Sequence, residues 1–227
     1  MRADPSTAWT VAQVRAAEAP LLAAGEPLMA RAAAGLARAV TGVLEQRGRR
    51  TGRLLVLAGS GSNGGDALHA AALLLARGCT VDVGLLGRRV HPEGLRAATR
   101  AGARVLAPDT APGALAALAA DADVVLDGVL GTGAAASPAL RPPARQAVAA
   151  VAAAVRNGPA VVAVDLPSGV GADDGSVHPP LLRASTTVVF GGMKAGLLRS
   201  PARGWCGRTV LVDIGLGPRP ALPSPPA

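Results

Sequence analysis

Aromatic residues are almost absent from this chain. Trp9, Phe190 and Trp205 are the only ones among 227 residues. Proteins that bind single-stranded nucleic acid commonly stack the bases on aromatic side chains. Lysine is also nearly missing, since Lys194 is the only one, and the formal net charge of +8 comes from arginines scattered along the chain. Such a surplus bears on solubility and on the attraction of anions but not on fold. We therefore predict no nucleic-acid partner, and an anionic small molecule would still be attracted.

Cysteines and long apolar runs are scarce as well. Cys79 and Cys206 stand alone, without a second cysteine or a histidine at metal-binding spacing. Lone cysteines in a chain of this size are typical of reduced residues in a protein core. No stretch of about 18 apolar residues runs without a charge or a breaker, and the first residues lack the pattern of an export signal. We therefore expect a cytoplasmic protein without a membrane partner.

What the sequence has in abundance is short apolar runs that alternate with helical stretches. Hydrophobic residues make up 50% of the chain, which is enough for a sizeable core. Strands that alternate with helices of about 10 to 15 residues predict a parallel sheet with helices on both faces, an α/β fold. We predict one domain over residues 1–217. The proline-rich residues 218–227 are predicted to be an extended linker or a tail.

A glycine-rich loop follows the first predicted strand, residues 54–58. Gly59, Gly61 and Gly64 have the G-x-G-x-x-G spacing that turns the backbone sharply into a helix. We expect Asp66 in the first turn of that helix, where its carboxylate would repel a pyrophosphate bound to the same amides. The loop therefore favours a hydroxyl-rich or cation-linked ligand held by Asn63 and Asp66. The alternative is a structural strand-to-helix connection capped by Asp66.

Acidic residues close three of the predicted strands. Asp66, Asp127 and Asp165 each lie at or just after a strand end, and the carboxyl ends of parallel strands share one edge of a sheet. Taken singly, Asp66 is typical of a helix cap, Asp127 of a loop anchor and Asp165 of a turn-former. Converging carboxylates require either a proton on one of them, with a raised pKa, or a cation between them. A carboxyl group that shifts between both forms suits general acid–base catalysis.

Oxygen ligands are plentiful near these carboxylates. Asn63, Asp127, Ser168 and the loop carbonyls could together hold a hard cation, whereas the absence of sulfur and imidazole ligands argues against zinc. Ser168 lacks a G-x-S-x-G turn and a partner histidine, so we interpret it as a ligand and not as a nucleophile.

Four loops occur together in this sequence, and they carry a resemblance. They are 59–66 (GSGSNGGD), 127–133 (DGVLGTG), 164–169 (VDLPSG) and 191–198 (GGMKAGLL). With these loops the chain resembles the NAD(P)H-hydrate epimerases, the YjeF N-terminal domain family, from about Thr10 to Leu216. The resemblance implies a Rossmann-like three-layer α/β/α sandwich, usually a homodimer. It also implies an enzyme that interconverts the R and S forms of NADHX and NADPHX, the hydrated forms of NADH and NADPH, in nicotinamide nucleotide repair.

The resemblance assigns roles to residues of this sequence. It implies that Asp165 is the acid–base residue and that a potassium ion is bound by Asn63, Asp127 and Ser168. The implied substrate-binding residues are Ser62, Asn63, Gly64, Gly65, Asp66, Gly131, Thr132, Gly133, Ala134, Ala135, Ala136, Ser137, Asp165 and Lys194. Two positions depart from the family pattern, which has asparagine and glycine where this chain has Ser62 and Ala67. The methyl group of Ala67 is expected either to crowd the substrate or to stiffen the start of the helix.

Other functions are compatible with parts of the pattern. Relatives of this fold also serve as protein-interaction modules, so a non-catalytic scaffold or ligand-binding protein is the alternative. An NAD-dependent oxidoreductase is disfavoured, because the second strand ends in Gly87-Arg88 and not in an acidic residue that would bind the ribose. Bacterial members of the family are often fused to a dehydratase domain, so the resemblance implies such a domain, or a separate dehydratase, as a partner.

Overall fold

The computed structural model describes residues 8–134, 137–156 and 158–217. The strands are β1 (Arg53–Ala58), β2 (Thr80–Leu85), β3 (Arg104–Val105), β4 (Val124–Gly128), β5 (Ala160–Val164), β6 (Thr186–Phe190) and β7 (Arg208–Val212). The α-helices in this part of the chain are α1 (Val11–Ala23), α2 (Leu28–Gln46), α3 (Ser62–Leu75), α4 (Pro92–Arg100), α5 (Pro112–Ala120) and α6 (Ala144–Ala154). The proline-rich segment 218–227 lies outside the described residues.

The strands form one seven-stranded sheet in the order β3-β2-β1-β4-β5-β6-β7. Every strand pair is parallel, as the alternating pattern predicted. All residues of β4, β5 and β6 are buried, which is typical of parallel strands covered on both faces. The strand order reverses between β1 and β4, so a cleft is expected beyond the carboxyl ends of these two strands.

Helices cover both faces of the sheet, which confirms the predicted three-layer α/β/α sandwich. One core joins α2, α3 and α4 to the side chains of Leu54, Val56 and Val162. The other joins α5 and α6 to the alternate residues Leu55, Leu57 and Val161. Side chains alternate between the faces of a strand, so neighbouring residues of β1 and β5 enter different cores.

The glycine-rich turn after β1 is shorter than the sequence predicts. Helix α3 begins at Ser62, after Gly61 as N-cap, so Asn63, Gly64 and Gly65 are helical. Asp66 is therefore in the second turn of the helix, and its prediction as a first-turn residue is wrong. Glycine is required within this first turn, because a Cβ on Gly64 would lie only 2.2 Å from the Gly59 carbonyl oxygen. Two backbones approach here more closely than any side chain allows.

Helix α1 begins beside the loop that follows β6. Thr10 and Gln13 form a reciprocal capping box at its start. The Trp9 amide donates to the Met193 carbonyl at 2.7 Å, and the Ala195 amide donates to the Trp9 carbonyl at 2.9 Å. These two bonds attach the start of α1 to the backbone on either side of Lys194. Among the described helices, none combines the length and the apolar character that crossing a bilayer requires.

Candidate active site

Two neighbouring groups of polar side chains lie at the carboxyl edge of the sheet. One contains Asp165, which directly follows β5, together with Asp66 of α3 and Lys194. The other contains Asp127 of β4, Ser168 and Asn63. The three aspartates thus come to the same edge of the sheet, as predicted from their positions at or after the ends of parallel strands. They divide between the two groups and do not form a single cluster.

Asp165 has an unusual backbone conformation. Its φ is +69°, in the left-handed region that non-glycine residues rarely occupy. Its amide donates to the Val188 carbonyl at 2.8 Å. Its side-chain Oδ1 accepts from the Phe190 amide at 3.1 Å and from Lys194 Nζ at 2.5 Å. Strain of this kind persists where surrounding contacts fix it, and it is concentrated at functional sites. The carboxyl group of Asp165 is therefore held in one orientation.

Lys194 is fully buried behind this carboxylate. Its side chain is 1% exposed, and Nζ donates to both Asp165 and the Phe190 carbonyl, the latter at 2.8 Å. A buried ammonium group is costly unless it is paired and hydrogen-bonded, and Lys194 has both kinds of contact. In this arrangement the lysine neutralises and orients Asp165.

Asp66 and Glu18 add two further carboxyl groups to the surroundings of this ion pair. The pKa of Asp66 is raised from 3.8 to about 8, first by burial and then by repulsion from Asp165 and Glu18, against attraction by Lys194. The pKa of Glu18, in α1, is also raised, mainly by burial. Asp66 therefore carries a proton at neutral pH. One lysine among three carboxyl groups favours a bound proton on one of them.

The second group is a compact set of oxygen atoms. Asp127 accepts from the Ser168 hydroxyl at 2.5 Å and from the Ser168 amide at 2.9 Å. The Leu130 amide donates to Ser168 Oγ at 2.8 Å. The side-chain amide of Asn63 donates to the carbonyl oxygens of Val164, at 2.5 Å, and Leu130, at 3.5 Å. Burial raises the pKa of Asp127, against the hydrogen bonds from Ser168.

The chemistry of this donor set fits a hard cation. It offers a carboxylate, a hydroxyl, a side-chain amide and two backbone carbonyls, and oxygen ligands of these types bind alkali and alkaline-earth ions. The described residues contain no group of three or more histidine, cysteine or acidic side chains that could hold a metal ion. In the oxygen set the Asp127 carboxylate is accompanied by neutral oxygen ligands.

Sequence comparison identifies the family. Residues 25–196 match the family described as "YjeF-related protein N-terminus". The chain belongs to this family. A Clavibacter michiganensis protein named NAD(P)H-hydrate epimerase is 48% identical over 219 residues, which cover 95% of this chain and 93% of that protein. A Mycobacterium tuberculosis protein named bifunctional NAD(P)H-hydrate repair enzyme Nnr is 44% identical, over 92% of this chain and 41% of that protein.

A solved structure supports the fold of this family member. The crystal structure of a yeast protein superposes with a TM-score of 0.74, covering 90% of this chain and 86% of that chain at 21% identity. Identity at this level bears on the fold alone.

The remaining residues assigned by the family resemblance lie at the start of α3 and in the segment after β4. Ser62 is exposed at the start of α3, and Gly131, Thr132, Gly133 and Ser137 follow β4. Ala134 ends the short 3-10 helix Thr132–Ala134, whereas Ala135 and Ala136 lie outside the described residues. A Cβ on Gly131 would lie 2.1 Å from Asn63 Oδ1, so the loop after β4 packs directly on the Asn63 amide.

Ala67, one of the two positions expected to depart from the family pattern, packs inside the fold. Its side chain is fully buried, and its Cβ lies 2.9 Å from where a Cβ on Gly128 would be. The methyl group therefore packs against the end of β4.

Sequence reasoning missed Glu18 and Arg15. Arg15 donates from Nη2 to the Thr132 carbonyl at 3.1 Å, and Glu18 interacts electrostatically with Asp66, Asp165 and Lys194. Both residues belong to α1, and the sequence of this helix gives no indication of which element it covers. The only feature of the sequence that could have drawn attention to Glu18 is that it is the single carboxyl residue of this helix, and such residues are common on surface helices.

Proposed function

We propose that this chain is an NAD(P)H-hydrate epimerase, which interconverts the R and S forms of NADHX and NADPHX in nicotinamide nucleotide repair. The observation that carries the proposal is the Asp165–Lys194 pair at the carboxyl edge of a YjeF N-terminal domain. Asp165 is held by two side-chain hydrogen bonds at a backbone angle of +69°. Such a carboxyl group is fixed for proton transfer and has a protonated neighbour in Asp66.

The chemistry of the substrate matches these groups. The carbon that is epimerised bears a hydroxyl group and adjoins a ring nitrogen, so it loses its configuration by ring opening or by loss of hydroxide. Either route needs a proton donor and a proton acceptor. Asp165 is suited to accept and return the proton, and Asp66, protonated at neutral pH, is suited to donate a hydrogen bond.

We further propose that Asn63, Asp127 and Ser168 bind a potassium ion. The oxygen donor set and the carbonyls of Leu130 and Val164 support this assignment. When bound, the ion supplies positive charge that fixes substrate oxygens and facing loops. Asn63 also connects the loop after β4 to the end of β5 through its hydrogen bonds to the Leu130 and Val164 carbonyls.

We assign substrate contacts to the start of α3 and to the loop after β4. Ser62, Thr132, Gly133 and Ser137 are at least partly accessible there, and Asn63 and Asp66 project from the same helix. Lys194 remains a predicted contact, although its buried position favours action through Asp165.

The cellular setting follows from the family and the thiols. We propose a cytoplasmic protein, since Cys79 and Cys206 are both buried and free, as in proteins kept in a reducing compartment. We propose a homodimer because the family resemblance implies one. The bifunctional relatives support cooperation with a dehydratase, either fused to this domain or separate. Sedimentation velocity tests the dimer, and a single monomeric boundary at micromolar concentration would contradict it.

A stereochemical assay tests the function. Purified R or S NADHX is incubated with the protein, and the appearance of the other form is followed by chromatography against buffer alone. We expect equilibration at a rate well above the buffer rate, and the same with NADPHX. Equal rates with and without the protein would support the alternative of a non-catalytic scaffold or ligand-binding protein.

A further inference from the structure

Inversion of the substrate carbon by loss of hydroxide requires two proton transfers. The bond between carbon and the hydroxyl oxygen breaks, and the leaving hydroxide takes a proton from an acid to become water. A water molecule then forms a new bond to the other face of the same carbon and loses a proton to a base. Each turnover transfers one proton from an acid to the leaving oxygen and one proton from the incoming water to a base, so two proton-transfer groups are better suited to it than one.

Helix α1 is firmly attached next to the candidate site. Hydrogen bonds join Trp9 to Met193 and Ala195, on either side of Lys194. The Val11 amide donates to Asp173 Oδ1 at 2.8 Å. The first turn of α1 therefore has a fixed position relative to the lysine that binds Asp165.

The phase of α1 directs Glu18 toward the same side as its buried residues. Val11 and Val14 are buried, and Glu18 follows them by seven and four residues, spacings that share one helix face. Arg15, three residues before Glu18, reaches the Thr132 carbonyl of the loop after β4. This face of α1 therefore covers the cleft between that loop and Lys194.

Glu18 is half-buried and lies within the field of the site. The pKa of Glu18 is raised by burial and by Asp165 and is lowered by Lys194 and Arg15. Asp66 in turn is influenced by Glu18. The charged and titratable groups that face Glu18 are thus Arg15 on its own helix, and Asp66, Asp165 and Lys194 from the elements beneath. No hydrogen bond or ion pair of its own engages the Glu18 carboxyl group among the described residues, so it is available to a ligand.

We infer that Glu18 is a second substrate-facing proton-transfer group, supplied by α1 while Asp165 is supplied by the sheet. The inference rests on the proposed epimerase function. One carboxyl group protonates the leaving hydroxyl, and the other takes the proton from the incoming water. The two exchange roles when the opposite epimer is the substrate.

The test compares Glu18→Gln with Glu45→Gln, a matched change at an exposed glutamate of α2. We expect Glu18→Gln to lower kcat by about 100-fold, the usual contribution of one general acid or base, with a smaller change in KM and an unchanged melting temperature. Its pH profile of kcat should lack one ionisation that the unmodified enzyme shows. Glu18→Asp, which keeps the carboxyl group, should recover part of the rate.

Three outcomes overturn the inference. The first is a Glu18→Gln enzyme that is as active as Glu45→Gln. The second is a loss of activity that only follows a loss of folded protein, with the pH profile unchanged. The third is turnover in ¹⁸O-labelled water without label in the product hydroxyl, because loss of hydroxide must exchange that oxygen. If the unmodified protein itself fails to epimerise NADHX, the proposed function fails instead, so the two failures are distinguishable.

Discussion

At the scale of single residues, Asp165 and Lys194 form a mutually dependent pair. Asp165 is the only described residue other than glycine with a positive φ. Lys194 is 1% exposed and donates to the Asp165 carboxylate and to the Phe190 carbonyl. The carboxylate needs the ammonium group for neutralisation, and the ammonium group needs both oxygens to remain buried.

Replacing Asp165 with asparagine tests its part in proton transfer. Asparagine keeps a side-chain oxygen for the Phe190 amide and for Lys194, so we expect the protein still to fold, with a lower unfolding free energy because the buried ammonium group loses its counter-charge. It cannot exchange a proton at neutral pH, so epimerisation should slow by about 10²- to 10⁴-fold. The measurement is the epimerisation rate together with a circular dichroism spectrum. Asp109→Asn, at an exposed loop position, is the control, and full activity of Asp165→Asn would assign proton transfer to another group.

Replacing Lys194 with methionine tests the pair from the other side. The change leaves the Asp165 carboxyl group buried without its cation, and breaking a buried pair in this way costs about 3–5 kcal/mol of unfolding free energy. Urea denaturation measures the loss. The double variant Asp165→Asn with Lys194→Met removes both charges and should be more stable than Lys194→Met alone. Additive effects of the two changes would show that the residues are not coupled.

The positions of site residues are predictable from the sequence where those residues lie at the end of a predicted strand. Asp127 and Asp165 lie at the ends of fully buried strands, so the hydrophobic pattern alone predicts their place at the edge of a parallel sheet. The place of Glu18 is not predictable in this way, because a single glutamate on a helix carries no signal of what lies beneath the helix. The hydrogen bonds that join Trp9 to the backbone around Lys194, and Arg15 to Thr132, reveal it.

At the scale of secondary-structure elements, the start of α3 is a place where tertiary contacts override helix propensity. Gly64 and Gly65 have low helix propensity, and the sequence therefore predicts a loop up to a helix whose first turn contains Asp66. The helix nevertheless starts at Ser62, since the close approach of Gly64 to Gly59 requires residues without a Cβ there. Tertiary contact determines this boundary, which is why propensity does not find it.

The loop after β4 and helix α3 meet at one point that a methyl group can test. A Cβ on Gly131 would lie 2.1 Å from Asn63 Oδ1, whereas a Cβ on Gly113 in α5 would meet no atom within 4 Å. We expect Gly131→Ala to displace the Asn63 amide and to reduce both the epimerisation rate and its stimulation by potassium. Gly113→Ala should leave both unchanged. The measurement is the epimerisation rate in potassium and in choline buffers at equal ionic strength. Equal stimulation by potassium in the two variants would mean that Asn63 does not bind the cation.

At the scale of the whole molecule, the alternation of strands and helices predicts the sheet, its parallel sense and its covering on both faces. These properties follow from hydrophobic pattern and from the rules that govern parallel connections. The order of the strands does not follow from the pattern. The order depends on which hydrophobic faces pack together. For example, α2 packs so closely on β7 that a Cβ on Gly35 would lie 2.3 Å from Val212.

The stability of the whole molecule should depend on pH through Asp66. The pKa of Asp66 is raised from 3.8 to about 8 in the folded protein, first by burial. Between these values the folded state keeps a proton that the unfolded chain has lost, so the unfolding free energy falls as pH rises from about 4 to about 8. Glu18, whose pKa is also raised by burial, acts in the same direction.

Replacing Asp66 with asparagine removes this proton linkage. Relative to the unmodified protein, Asp66→Asn should therefore gain stability as pH rises, by at most about 1.4 kcal/mol per pH unit, the limit for one proton. Urea unfolding at pH 5, 7 and 8.5 measures the difference, and Asp109→Asn, at an exposed position, provides the baseline. Parallel curves for Asp66→Asn and the unmodified protein would mean that Asp66 is ionised in the folded state, and Asp165 would then lack a protonated neighbour.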